Sequence, residues 1–571
     1  MLKKIADFFR EQTANNDDEP DEKKALETGR IRLLVTGAVF SVIFLGISYR
    51  LFDVTLINKQ GQEVKVVSSG RSLALKMDRA DIVDRNGVLL ASSLPTASLF
   101  ANPRDILDSE EAASKLTRIL PELNREDLVN KFNADKGFIY LKRNLTPKQQ
   151  FEINRLGIPG LDFRPGEKRV YPQGHLVAHV MGLTDVDNNG IAGVEKTFDS
   201  HLKGGKEPLK LSLDIRVQYI LYQEMQEAIR QFKALGGAGM VMDVHTGEVV
   251  GMVSLPDFDP NIPSTATDVA RFNRTTLGVY EMGSVFKLFT AAAAMDAGNA
   301  NLNTQYDARE PIQISRFTIS DYHSMHRFMS VQEIIVHSSN VGMAKMAQEL
   351  GVERQRDYMG RFGFLNAPKF ELPEVGGPLI PSPWREINAM TISYGHGLSV
   401  SPLQLVTGLS ALVNGGLYRN PTLIKQGDDG PIPAKRNLSD KSSEQIRRAM
   451  RMVVEGGTGT KAESIGYYFG GKTGTAEKYR GGGYAEKALL SSFVGAFPID
   501  NPRYAILIMI DEPQGTKESF GYATGGWVSA PIISKVVSRI GPMLGVLPKR
   551  QGKEKIWEAA LSKGDKIGAT R

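Results

Sequence analysis

The chain is 571 residues long, too many for one compact core at about 150 residues per domain, so two to four structural units are expected. An apolar fraction of 41% with mixed charges describes an ordinary globular composition, and a net charge of +6 without a dense basic stripe offers nucleic acid no footing. The absence of cysteine excludes thiol catalysis, thiolate metal sites and disulfides, and leaves the redox compartment open.

Residues 1–31 carry both signs of charge with no sustained apolar period, which predicts a solvated tail. From Leu33 to Tyr49 there is no charged residue, and the run extends through Leu51 and Phe52 to about the 20 residues that a spanning helix needs. Residues 32–52 are therefore predicted to form one membrane anchor. Lys23, Lys24, Arg30 and Arg32 precede it, while only Arg50 and Lys59 follow soon after, a bias that puts the N-terminus in the cytoplasm and the rest outside. The sequence after Tyr49 offers no small-residue cleavage site, so an uncleaved anchor is expected.

Residues 53–205 mix short strand-like and helix-like stretches with turns and hold no dense cluster of reactive side chains, as a non-catalytic pedestal would. The run from Asp185 to Gly190 copies half of a calcium loop, but Lys196 stands where the bidentate Glu belongs, so a polar turn is expected. Residues 206–547 read as one α+β domain. A helix is predicted from Asp214 to Phe232, followed by hairpins around His245 to Gly247 and Asp500 to Pro502. A helix-rich stretch lies between the two hairpins, including a segment of helical period from Val331 to Leu350, so an antiparallel sheet closed by strands from both ends of the domain is expected. Residues 548–571 are polar and mildly basic, a frayed tail.

The chemistry is written in three places. Ser284 opens a helical segment with Lys287 three residues on, and residues so spaced share a helix face, so the lysine can serve as base to the hydroxyl. Alone that spacing is weak, since Ser200 and Lys203 share it. Ser338-Ser339-Asn340 and then Lys472-Thr473-Gly474-Thr475 follow in the order that marks serine acyltransferases acting on D-alanyl peptides and β-lactams.

With these motifs the chain resembles the class B penicillin-binding proteins, and within them the division-specific branch, because elongation enzymes usually carry Asp where Asn340 stands. The resemblance extends to Arg79 through Gly87, Arg169 to Pro172, Gly193 to Glu195, Leu213-Asp214 and Tyr394 to Gly397. Departures are Ala80 in place of Gly, Met282 in place of Pro, and a short link from His201 to Leu213.

The resemblance implies a serine β-lactamase-like transpeptidase domain, with Ser284 as nucleophile, Lys287 as base and Ser338 as proton relay. Asn340, Lys472, Thr473, Gly474 and Thr475 would bind substrate, with no cofactor and no metal. It further implies stem peptides ending in D-Ala-D-Ala and β-lactams as ligands, and an inner-membrane protein with its catalytic part in the periplasm. Division proteins, including a glycosyltransferase such as FtsW, are the partners it implies. A β-lactamase or carboxypeptidase built on the same motifs, or a scaffold recruiting division partners, are the alternatives.

Overall fold

In the computed structural model, which describes residues 21–52, 79–205, 207–314, 317–427, 432–480 and 483–549, the first element is helix α1, Asp21–Phe52. The expected solvated tail thus turns helical at Asp21, where Glu22, Lys23, Lys24, Ala25 and Leu26 are all good helix formers; residues 1–20 lie outside the described residues. Leu33, Leu34, Val42, Phe44 and Leu45 are exposed along α1. Among the described residues no helix is long and apolar enough to cross a membrane, so the fold does not establish the span expected at 32–52, whose side chains past Ser48 lie outside the described residues.

The remaining described residues belong to a second compact unit. It opens with a sheet of β1 (Ile82–Val83), β2 (Leu89–Ala101), β3 (Ile139–Leu145), β4 (Leu161–Val170) and β5 (Leu209–Lys210). The order is β3-β2-β1-β5, with β4 also paired to β2 and β5 parallel to β1. Leu99, Leu116, Leu128, Phe132 and Leu141 form a core under this sheet. The expected polar turn is formed, with the Asp185 carboxylate accepting the Asp187 and Asn189 N–H groups at 2.9 and 2.8 Å.

Three of the stretches that carry the family resemblance meet in one buried ion cluster. Glu195, fully buried, accepts from Arg79 Nε at 2.7 Å and from Arg169 Nε at 2.7 Å, and Arg79 Nη1 reaches Asp199 at 2.7 Å. Charges so desolvated are tolerated only when each is paired and hydrogen-bonded, which ties the three distant stretches to one geometry. Asp84 then fastens the pedestal sheet to the start of the catalytic part, its carboxylate accepting from the Asn86 and Val88 N–H at 2.8 Å and from the Ile215 N–H at 3.1 Å. Strand β5, beyond the expected pedestal boundary, completes the pedestal sheet.

The catalytic part is an antiparallel sheet of β6 (Gly236–Asp243), β7 (Val249–Leu255), β8 (Gly470–Arg480), β9 (Gly483–Phe497) and β10 (Tyr504–Asp511) in the order β8-β9-β10-β6-β7. Its main helices are α2 (Ile215–Gln231), α3 (Phe286–Asp296), α4 (Val331–His337), α5 (Asn340–Leu350), α6 (Pro402–Val413), α7 (Asp440–Gly456) and α8 (Ser529–Met543). Strand β10 is buried throughout because both faces are covered, and its side chains alternate between two cores. Ile506, Ile508 and Ile510 belong to the core that also holds Val217, Leu221, Val536 and Ile540 of α2 and α8, whereas Leu507 and Met509 belong to the one that holds Phe289, Leu409 and Met450 of α3, α6 and α7. The α+β layout is as expected, with β8 left at the sheet edge beside the start of α3.

Candidate active site

Ser284 sits in a single 3-10 turn, Gly283–Val285, that runs directly into α3. Two glycines make its position possible. Gly283 has φ +57°, and a Cβ there would stand 2.6 Å from the Thr475 carbonyl oxygen. Gly395 has φ +95°, and its Cβ would stand 2.0 Å from the Gly283 carbonyl oxygen. The Gly283 N–H donates to the Gly395 carbonyl at 3.2 Å, so the turn is held between β8 and the loop carrying Tyr394 to Gly397. At the next residue of β8, a Cβ on Gly474 would stand 2.7 Å from the Met282 carbonyl oxygen, which keeps the strand pressed against the turn.

One turn along α3, Lys287 brings its fully buried Nζ to 3.1 Å from Ser284 Oγ. Lys287 Nζ also lies 2.5 Å from the Ser338 carbonyl oxygen, 2.7 Å from Asn340 Oδ1 and 3.0 Å from Ser338 Oγ. The carbonyl and amide oxygens can only accept, so they take two N–H groups whatever the charge. The remaining valence, a third N–H or a lone pair, faces the hydroxyls of Ser284 and Ser338. Burial, reinforced by the positive charge of Lys472 and opposed by Asp321, pushes the Lys287 amine well below its ordinary value. A neutral amine presenting its lone pair to Ser284 is the arrangement that nucleophilic activation needs.

The expected single helical segment from Val331 to Leu350 is in fact two helices, and the break is part of the site. A capping box between Ser330 and Glu333 starts α4, and Ser338 ends it with φ 63° and ψ 42°, left-handed values uncommon outside glycine. Ser339 then caps α5, its Oγ accepting the Gly342 N–H at 3.0 Å. Asp321 locks this turn from a separate loop: its carboxylate accepts from Ser339 Oγ at 2.6 Å, from the Val341 N–H at 2.9 Å and from the Asn340 N–H. Asn340 Nδ2 donates to the Ser320 carbonyl at 2.9 Å, which turns Oδ1 toward Lys287.

Lys472, fully buried on β8, donates to Ser338 Oγ at 3.1 Å and to the Thr473 carbonyl at 3.1 Å, so the Ser338 hydroxyl lies between two amines. Burial lowers the Lys472 amine to about 7. Burial, and then the nearby charge of Lys287, hold His396 at about 4, so its imidazole is neutral at pH 7. Thr475 Oγ1 accepts the Gly525 N–H at 3.0 Å, leaving its own proton to donate outward.

Direct hydrogen bonds thus join Ser284, Lys287, Ser338, Asn340, Lys472 and Thr473, and backbone contacts bring Gly474 and Thr475 to the same turn. Ser200 lies in the pedestal, and Lys203 there pairs with Asp199 at 2.7 Å. Sequence reasoning missed Asp321, Gly525 and the role of Gly395. Among the described residues no cluster of His, Cys, Asp or Glu could hold a metal ion.

An α+β domain with a buried lysine, two serines and an edge strand converging on one cleft defines a serine acyltransferase architecture. Residues 237–538 match the family described as "Penicillin binding protein transpeptidase domain", and residues 75–219 match "Penicillin-binding Protein dimerisation domain". The chain belongs to the penicillin-binding protein transpeptidase family. It is 39% identical over 536 residues to the probable peptidoglycan D,D-transpeptidase FtsI of Caulobacter vibrioides, covering 91% of this chain and 90% of that one. It is 31% identical over 526 residues to the peptidoglycan D,D-transpeptidase FtsI of Escherichia coli, covering 86% of each. The fold is shared with a peptidoglycan synthetase from Bifidobacterium adolescentis at a TM-score of 0.66 and 20% identity, over 83% of this chain and 97% of that one.

Proposed function

We propose that this chain is a peptidoglycan D,D-transpeptidase of the division septum, anchored by α1 and working outside the membrane through an acyl-enzyme on Ser284. Ser284 Oγ attacks the carbonyl between two terminal D-alanines of a stem peptide as Lys287 takes its proton. The backbone N–H groups of Ser284 and Thr475 are the oxyanion donors in this reading. The C–N bond then breaks, and the last D-alanine leaves as an amine protonated through Ser338, whose hydroxyl is within hydrogen-bond reach of both lysines. Asn340 holds the side-chain amide of the donor, while Lys472, Thr473 and Thr475 bind its terminal carboxylate beside Gly474. A second stem's amine attacks the ester, gives up a proton to Lys287, and restores the Ser284 hydroxyl as the cross-link forms. One amide replaces another, so no nucleotide is needed. β-Lactams follow the first half of this path and stop at the ester.

The observation that carries the reading is the 3.1 Å contact between Ser284 Oγ and a buried lysine amine whose proton affinity is lowered. The wider organisation is part of the same proposal. Residues 1–31 lie in the cytoplasm, 32–52 cross the inner membrane, 53–205 form the pedestal, 206–547 the periplasmic transpeptidase and 548–571 a tail. The septal role and a glycosyltransferase partner such as FtsW rest on likeness to proteins named FtsI. Two experiments test this. A D-alanyl thioester donor with an acceptor amine is expected to yield transfer product with the wild type and none with Ser284→Ala, and release of hydrolysed donor alone would turn the assignment to a hydrolase. A fluorescent fusion is expected to gather at midcell, and lateral-wall labelling would contradict the septal part.

A further inference from the structure

The loop that follows α7, Gly457 to Thr460, is wedged into the site without belonging to any of the three motifs. A Cβ on Gly457 would stand 2.8 Å from the carbonyl oxygen of Val336, in the helix that ends at Ser338. A Cβ on Gly526 would stand 2.7 Å from the Thr458 carbonyl oxygen. The N–H groups of Gly457 and Gly459 both donate to the Val453 carbonyl at 3.1 Å, and the Lys461 amine sits 3.9 Å from the Trp527 ring centre. The backbone of Thr458 is therefore fixed from three sides, although its side chain is exposed at the rim. That side chain points at the strand: Thr458 Oγ1 lies 2.8 Å from Thr473 Oγ1.

We infer that Thr458 is a specificity residue for the donor's terminal carboxylate, forming with Thr473 a pair of hydroxyls that each donate to one carboxylate oxygen. The inference rests on the reading that Lys472, Thr473 and Thr475 receive that carboxylate. Lys472 Nζ stands 3.4 Å from Thr473 Oγ1 and supplies the positive charge. The contact between the two hydroxyls uses one of their two O–H donors, so the other remains for a bound acceptor. A carboxylate has acceptor capacity for both hydroxyls at once, and a neutral ester lacks the charge that strengthens such bonds.

The test compares acylation of the full-length protein by benzylpenicillin and by its methyl ester. Thr458→Val keeps the shape of the side chain and removes the hydroxyl. It is expected to slow acylation by the acid about tenfold, the loss of one hydrogen bond to a charged group, while slowing the ester less than about twofold. Thr458→Ser is expected to stay within about twofold of wild type on both compounds. An equal fall on acid and ester would mean that Thr458 only props the loop, and no fall on the acid would remove it from the site; either result overturns the inference and leaves Ser284 as nucleophile. Failure of the wild type to acylate with either compound would instead overturn the underlying reading as well.

Discussion

Asp321 offers a way to separate the geometry of the site from its electrostatics. Its carboxylate holds Ser339 Oγ and two backbone N–H groups at the turn where Ser338 has φ 63°, a conformation that costs a non-glycine residue about 1–3 kcal/mol. Asp321→Ala removes every one of those acceptors. Hydrogen bonds to a charged group are each worth about 1.5–3 kcal/mol, but this carboxylate is only half-buried and water recovers part of the loss, so a net cost of about 2 kcal/mol is expected. If that cost falls on the placement of Ser338 and Asn340, acylation slows about 30-fold. Asp321→Asn behaves differently. It keeps one oxygen for the backbone donors and removes the negative charge that favours the Lys287 ammonium. Its acylation rate is therefore expected to persist to lower pH than that of the wild type. Stopped-flow acylation by a fluorescent penicillin across the pH range reads both effects. Wild-type rates in Asp321→Ala, or an acid limb moved upward in Asp321→Asn, would refute the reasoning.

Acylation of the wild type is expected to be bell-shaped in pH. On the acid side it falls as Lys287 gains its proton, at a pH well below the ordinary lysine range; on the alkaline side it falls as Lys472 loses its charge near 7, and a rate that is flat from neutral pH into the lysine range would contradict these assignments. Glu195→Gln leaves Arg169 buried without a carboxylate partner and Arg79 with Asp199 alone, so unfolding by urea is expected to come about 3–5 kcal/mol easier; a change under 1 kcal/mol would show that the cluster is relaxed by water. Gly395→Ala forces a Cβ against the Gly283 carbonyl, and penicillin labelling is expected to be lost while the circular dichroism spectrum is kept; full labelling would mean that the loop moves aside freely.

What the sequence made legible is local or ordered. Ser284 and Lys287 are one helical turn apart, so their contact follows from spacing alone. Strands β6, β7, β9 and β10 were legible as short apolar runs flanking turn residues at His245 to Gly247 and Asp500 to Pro502, although burial on both faces leaves them no polar alternation. The break at Ser338 was hidden because apolar residues continue in helical period across it; Ser339 followed by Gly342 was the available signal, a cap inside an otherwise continuous segment. Asp321 and Thr458 were beyond reach for a different reason. Each acts across the fold on a residue 15 or more positions away, through contacts that no periodicity encodes. The pedestal boundary shows the same limit, because Leu209 and Lys210 pair with Ile82 and Val83 across more than a hundred residues of chain.

The proposed chemistry turns on one oxygen made reactive by one buried amine. Mass spectrometry of the purified protein after exposure to benzylpenicillin, with peptide mapping, tests it most directly. A single penicilloyl group on the peptide carrying Ser284, absent from Ser284→Ala and strongly reduced in Lys287→Ala, is the expected result; an adduct on another residue, or none at all, would contradict it.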